Sequence, residues 1–317
     1  MKFAIVRRWS AVYLVTVAVC LSTAVATAPS GATIQDGNPA TKQRALSSSI
    51  SRAKAKLPTL AAAGDISPDK LADQRATSNL VLNMDPTRVL TLGDHQYADG
   101  TYAEFRKFYH PTWGRFRNRT LPTPGNHEYR TRNAAGYFRY FGDRARPNGR
   151  SYYSKAFPGW RIISLNSNIR RGPKSRQVKW LKRELKQNRR RCVLAFWHHP
   201  RFSSGADSRG DTRGEAFMGA LYRERADLVL SGHVHNYERF GLQSPDGRHD
   251  LKGIRQFVVG TGGNGHYGFH KPEPQSQKRV TGRYGVLRLL LQKGAYRWKF
   301  VAVGGKVLDR GGPRKCH

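Results

Sequence analysis

The chain has 317 residues, with 56 Lys and Arg against 21 Asp and Glu, giving a formal net charge of +35 at pH 7. It shows no internal repeat, and beyond residues 1–28 no apolar run is long enough to cross a bilayer. This excludes solenoid arrays and multi-span membrane proteins and leaves one folded domain with a substantial core. The basic residues are spread over the chain rather than gathered into one nucleic-acid motif. Charge alone therefore supports either attraction of anions (phosphoesters, nucleic acid, phytate-like compounds, cell-wall polymers) or simple solubility.

Residues 1–28 read as a secretory signal peptide. Lys2, Arg7 and Arg8 give the basic start, an apolar stretch runs through Val19, and small residues end in Ala24-Val25-Ala26 or Ala26-Thr27-Ala28. Export by the general secretory route, or by the twin-arginine route through Arg7-Arg8, places the mature chain outside the cell, or in the periplasm of a two-membrane cell. Its charge is then +32, three basic residues fewer. Residues 29–56 are rich in Ser, Thr, Ala and Gly without periodicity and read as a flexible segment ahead of a domain over 57–317.

Short, mostly continuous apolar runs predict strands over 58–63, 88–92, 160–166, 192–197, 226–230 and 254–260. Helical patterns intervene at 69–83, 101–109, 175–188 and 214–224. Tyr284 to Gln292 and Tyr296 to Val303 flank Lys293-Gly294-Ala295 as a hairpin. The sum is an α/β core closing with antiparallel strands in a layered sandwich. Basic clusters stand at Arg115–Arg119 and at Arg189-Arg190-Arg191, the second at a helix end, where cations complement the helix dipole. Cys20 leaves with the leader, so Cys192 and Cys316 are expected to bridge in an oxidising compartment, pinning the tail beside the strand before His198.

Several of these strands run into polar phrases: Ala63-Gly64-Asp65, Gly93-Asp94-His95-Gln96-Tyr97, Gly125-Asn126-His127-Glu128, His198-His199-Pro200 and Gly232-His233-Val234-His235. Each offers oxygen or imidazole groups suited to a hard or borderline cation, at strand ends where α/β sites lie. Taken singly, Gly-Asp after a strand is a turn or cap and a lone His is structural; five such phrases together predict a two-metal site.

The series resembles the calcineurin-like metallophosphoesterase superfamily, over roughly residues 58 to 304, and its purple acid phosphatase branch in particular. That branch has Tyr three residues after the bridging Asp, as Tyr97 follows Asp94, while Ser67 stands where other branches place a His. The protein Ser/Thr phosphatase phrase Gly-Asp-x-Val-Asp-Arg-Gly is not matched at 93–99, and Gly232 to Arg239 is similar to the corresponding segment of the acid phosphatase branch. The resemblance implies an α/β-β/α sandwich of two mixed sheets flanked by helices, with 57–317 as the catalytic domain.

It further implies two metal ions, iron with zinc, manganese or a second iron. Asp65, Asp94, Tyr97 and His235 would hold the first, and Asp94, Asn126, His198 and His233 the second, His198 being preferred to His199 by a His-x-Pro pattern. A hydroxide shared by the metals would attack phosphorus, with His127 stabilising the phosphate or protonating the leaving oxygen. His95, His199, Arg201, Tyr237, Arg239 and the 260–267 loop adjoin these motifs as candidate substrate contacts. Further substrate histidines of that branch have no matching position after Pro200. The expected activity is phosphomonoester hydrolysis of the acid phosphatase type. Its alternatives are a phosphodiesterase on nucleotides or cell-wall phosphate polymers, and a basic polyanion-binding protein with a degenerate site.

Overall fold

The computed structural model describes residues 57–69, 71–188, 192–207 and 210–317. The expected leader, the 29–56 segment and Arg189-Arg190-Arg191 lie outside these residues. Thirteen strands are present among them. They are β1 (Thr59–Ala63), β2 (Arg88–Leu92), β3 (Thr120–Thr123), β4 (Tyr153–Phe157), β5 (Trp160–Ser164), β6 (Cys192–Phe196), β7 (Leu228–Ser231), β8 (Tyr237–Gln243), β9 (Ile254–Val259), β10 (Ser276–Val280), β11 (Gly285–Gln292), β12 (Ala295–Ala302) and β13 (Val307–Lys315). One sheet runs β13-β12-β11-β1-β2-β3 and the other β10-β8-β9-β7-β6-β5-β4. Parallel strands form one side of the first sheet, β1-β2-β3, and the centre of the second, β5-β6-β7-β9, and antiparallel strands complete both.

The two-faced burial of the central strands explains their continuous apolar runs. Along β6, Cys192, Leu194 and Phe196 point into the core shared with the first sheet, while Val193 and Ala195 point the other way with Trp197. The outer cluster is closed by two helices, α4 (Arg176–Lys186) and α5 (Glu215–Arg223), which follow α1 (Leu71–Met84), the single turn α2 (Tyr102–Glu104) and α3 (Ala135–Phe141) in the chain. In α4 the apolar stripe Val178, Leu181 and Leu185 is buried, Ser175 caps the first turn by accepting from the Val178 amide, and Arg183 and Lys186 suit the last turn. The expected helix over 101–109 is only half α-helical: after α2 the chain widens into a π turn over Phe105–Tyr109.

Two ties hold the sheets against each other behind the site. Cys192 on β6 and Cys316 after β13 form the expected disulfide, with Cα atoms 5.5 Å apart across a separation of 124 residues. Chain entropy assigns a loop of that length roughly 4–5 kcal/mol. The last residue continues the tie, His317 donating its amide to Asp227, which also accepts from the Val193 amide. The second tie runs from β8 to β13: Tyr237 and Arg239 both donate to the Asp309 carboxylate.

Candidate metal centre

The donor residues leave the C-terminal ends of parallel strands from both sheets. Asp65 follows β1, Asp94 β2, Asn126 β3, His198 β6 and His233 β7. Three of them, Asp65 (φ 58°), Asp94 (φ 46°) and His233 (φ 71°), adopt left-handed backbone, which is uncommon without glycine and costs about 1–3 kcal/mol each. The turn is held because the Asp65 amide donates to Gly93 O (3.1 Å), the Ile66 amide to Asp94 O (2.9 Å) and the His233 amide to Asp65 Oδ2 (2.8 Å). The glycines supply clearance: a Cβ on Gly93 would meet His198 Nδ1 at 2.4 Å, and one on Gly125 would meet Asp94 Oδ1 at 2.1 Å.

Tyr97 Oη lies 3.0 Å from Asp65 Oδ1, 3.0 Å from Asp94 Oδ2 and 3.2 Å from His235 Nε2. On its other side Asp94 Oδ2 faces His198 Nε2 at 3.3 Å, and that nitrogen is 3.0 Å from Asn126 Oδ1. His198 donates Nδ1–H to Leu92 O (2.8 Å), which fixes its tautomer and leaves Nε2 directed at the cluster. The His233 ring is 5.0 Å from His198 and 4.4 Å from His199, and ligating atoms of these three lie within 4.8 Å of one another. The same spacing groups Asp65, Asp94 and His198. All seven expected ligands thus converge, and one oxygen, Asp94 Oδ2, stands between the Tyr97-Asp65-His235 set and the His198-Asn126-His233 set.

Electrostatics follow from this crowding. Burial alone pushes Asp94 upward, but the charges of His198 and His127, and their hydrogen bonds, outweigh it and hold the carboxyl well below its usual range. Burial pushes His198 down, yet Asp94 more than reverses this and raises it to about 9. His233 falls to about 4 through burial and the neighbouring His198, and His199 falls further for the same reasons with His233 added. Burial and the two aspartates push the Tyr97 phenol well above its ordinary value. Anionic oxygens here draw positive charge, and a phenol beside two carboxylates ionises only if a cation joins them. This oxygen-rich and imidazole-rich donor set fits two hard or borderline cations.

Glu128 is the largest omission from the sequence reading. It is fully buried, and its carboxylate accepts from the amides of Asp94 (3.0 Å), His95 (2.7 Å), Gln96 (3.3 Å) and Gly125 (2.6 Å), binding two ligand turns into one unit. Its place at the end of Gly125-Asn126-His127-Glu128 was the available signal, since an acidic residue beside turns rich in free amides is a ready acceptor. Asn264, whose amide donates to Asp65 O (3.0 Å), and Ser167, 2.8 Å from His199 Nδ1, carried no such signal. Tyr267, inside the expected 260–267 loop, stacks on His235 at 4.0 Å.

The candidates for catalysis and substrate contact separate. His127 stands at the mouth: its Nδ1 donates to Ala98 O (2.6 Å), its ring packs on Tyr97 (4.1 Å), and Nε2 lies 3.9 Å from Asp94 Oδ2. His199 joins the cluster and is partly exposed. His95 does not face the mouth. It is fully buried, with Nε2 2.6 Å from Thr91 Oγ1 and the rings of Phe105, Tyr109, Tyr137 and Phe141 around it, so it is corrected to a core residue. Arg239 is corrected likewise: its guanidinium donates to Asp309 and Gln277 and lies over Trp298. Tyr237 is buried against Phe300 and is no contact either. Arg201 stacks over Phe202 at 4.6 Å, and no contact among the described residues brings it to the cluster.

Residues 58–237 match the family described as calcineurin-like phosphoesterase. Among curated proteins, the chain is 31% identical over 160 residues to a probable purple acid phosphatase 20 of Arabidopsis thaliana, covering 47% of this chain and 37% of that protein. It is 33% identical over 122 residues to purple acid phosphatase 18 of the same plant, covering 37% and 28%. The chain thus spans 37% of the length of the first of these relatives and 28% of the second. Purple acid phosphatase PPD1 from Lupinus luteus seeds superposes with a TM-score of 0.69 at 17% identity, over 80% of this chain and 53% of that one. GAP50, the anchor in the inner membrane complex of Plasmodium, gives 0.63 at 17% identity, over 82% and 89%. At such identities the likeness is one of fold.

Proposed function

Because the chain belongs to the calcineurin-like phosphoesterase family and resembles its purple acid phosphatase branch, we propose that it hydrolyses phosphoesters, phosphomonoesters first, at a centre for two cations. The observation that carries this reading is Asp94 Oδ2, set 3.0 Å from Tyr97 Oη and 3.3 Å from His198 Nε2. Asp65, Tyr97 and His235 would complete one site with it, and Asn126, His198 and His233 the other. Iron with zinc, manganese or a second iron suits these donors, the phenol favouring a ferric ion in the first site. Two bound cations would lower the pKa of a shared water, orient the phosphate and offset its charge.

The chain's own residues supply the rest. Glu128 fixes the turns so that Asp94 and Asn126 need not reorganise, and Leu92 O keeps the His198 tautomer with Nε2 inward. His127 keeps Nδ1–H on Ala98 O and so presents Nε2 to the mouth, from which it would stabilise the phosphate or protonate the leaving oxygen. Secretion is part of the proposal and is supported by the basic and apolar start of the sequence and by the Cys192–Cys316 bridge. No helix among the described residues is long and apolar enough to cross a membrane.

Metal analysis of the purified chain, with turnover of nitrophenyl phosphate and bis(nitrophenyl) phosphate, tests the reading. Two metals per chain and faster monoester hydrolysis are expected, with a visible charge-transfer band that Tyr97→Phe removes. A strong preference for the diester moves the activity to a phosphodiesterase. Metal-loaded protein that binds polyanions yet turns over neither ester leaves only the binding function.

A further inference from the structure

α4, α5 and the loops that precede them line a half-open cleft of about 720 Å³ that carries Arg170, Arg171, Lys182, Arg213, Arg223 and one carboxylate, Glu215. Two of the five cations are already committed, since Asp211 pairs with both Arg171 and Arg213. Arg170, Lys182 and Arg223 have no carboxylate partner among the described residues. A second hollow shares Arg170 and Arg171 and adds Lys174, so the positive lining continues along the loop before α4. A half-open hollow of this size has room for a small anionic group.

The cleft is joined to the donors by one short stretch of chain. Asn168 lines it and donates Nδ2–H to Pro124 O (3.0 Å), immediately before Gly125-Asn126. Its neighbour Ser167 is the residue that holds His199 Nδ1 at 2.8 Å. From Ser167 to Arg170 is three residues, at most ~10 Å of extended chain. Along this stretch a second anionic group of a phosphoester held at the donor cluster would pass Asn168 to reach the cleft.

We propose that this cleft is a subsite for a second phosphate of the substrate, so that the preferred esters are small molecules carrying two or more phosphates. The inference rests on the phosphoester-hydrolase reading above and adds to it a substrate class. Three uncommitted cations in a partly enclosed hollow attract such a group more strongly than the same charges on open surface, and added salt screens that attraction.

The test compares hexanediol bisphosphate with hexyl monophosphate on the metal-loaded chain and on the triple variant Arg170→Gln/Lys182→Gln/Arg223→Gln. The native chain is expected to favour the bisphosphate by about tenfold in kcat/KM, mainly through KM and less at high salt, and the variant to lose that preference. Nitrophenyl phosphate turnover, which needs no second subsite, should stay within about twofold and shows that the variant is folded. Absence of a preference in the native chain, or a preference that survives in the variant, overturns the subsite. If no ester is turned over, the hydrolase reading fails instead. Titration calorimetry with the bisphosphate then decides the cleft separately, equal affinity of native and triple-variant protein overturning it.

Discussion

Asp94 and His95 are neighbours in the chain and both are buried, yet they face opposite environments. The carboxylate turns to Tyr97, His198 and the His127 amide, while the imidazole turns back among Phe105, Tyr109, Tyr137 and Phe141. The difference shows that membership of a metal-binding phrase does not assign a role; the direction in which the backbone leaves the strand does. Glu128 sits between the two regions, accepting from the amides of both residues. Front and back of the turn are therefore one mechanical unit with two chemistries, and substitutions on each side should separate them.

The largest effect is expected at the front. Asp94→Ala removes the oxygen shared by both donor sets, so metal analysis should find neither ion retained, and turnover should fall by at least about 10³-fold. A variant that keeps both metals would break the assignment of Asp94 as the shared ligand. Glu128→Ala should come next and injure both sides at once. Four backbone amides lose a charged acceptor in a dry interior, a cost of about 3–5 kcal/mol in chemical denaturation, with metal content falling as the turns loosen. Unchanged stability with lost metal would make Glu128 a ligand rather than the clamp between regions.

A third substitution sharpens the comparison from outside it. Asp309 is a half-buried carboxylate on the edge strand β13 and faces no donor set. Burial pushes it up, while hydrogen bonds from Arg239 and Tyr237 and the Arg239 charge outweigh this and hold it below the usual carboxylate range. A carboxyl depressed in the folded state stabilises the protein above its unfolded pKa, and that contribution disappears as pH falls through the folded value. Asp309→Asn should therefore cost about 1.5–3 kcal/mol in urea unfolding at pH 7, with the deficit shrinking below about pH 4. Turnover per folded molecule should be unaltered, and a loss of metal would show that the strut reaches the centre.

How much of this was legible in the sequence depends on which residues had to face the core on both sides. The eight strands expected from apolar runs are all present, and the four sheet edges, β3, β4, β10 and β13, are the ones the pattern did not reveal. Edge strands need no continuous apolar run and tolerate proline, as β3 does at Pro122 and β13 at Pro313. The fifth unseen strand, β8, is interior but carries Glu238 and Arg239, whose charges are met by Ser204, Ser276 and Asp309 from distant segments. Asp65, Asp94, His198 and His233 were readable because each follows a buried strand with a continuous apolar run, and Asn126, after the edge strand β3, through its Gly-Asn-His-Glu phrase, whereas the clamp by Glu128 and the burial of His95 depend on contacts between segments that local pattern does not encode.

The smallest effect is expected at the back of the turn, and it decides most directly whether the two sides differ in kind. His95→Phe keeps an aromatic ring among Phe105, Tyr109, Tyr137 and Phe141 but removes the partner of Thr91 Oγ1 and the Nδ1 that lies 3.4 Å from Glu128 Oε1. The unpaired hydroxyl should cost about 1 kcal/mol of stability, while KM for nitrophenyl phosphate stays within about twofold and both metals are retained. A residue that touched substrate would give the reverse pattern, native stability with a KM raised about tenfold or more. If that pattern were observed, the inward ring would have to turn out toward the mouth during binding, and the contrast between Asp94 and His95 would be one of state rather than of position.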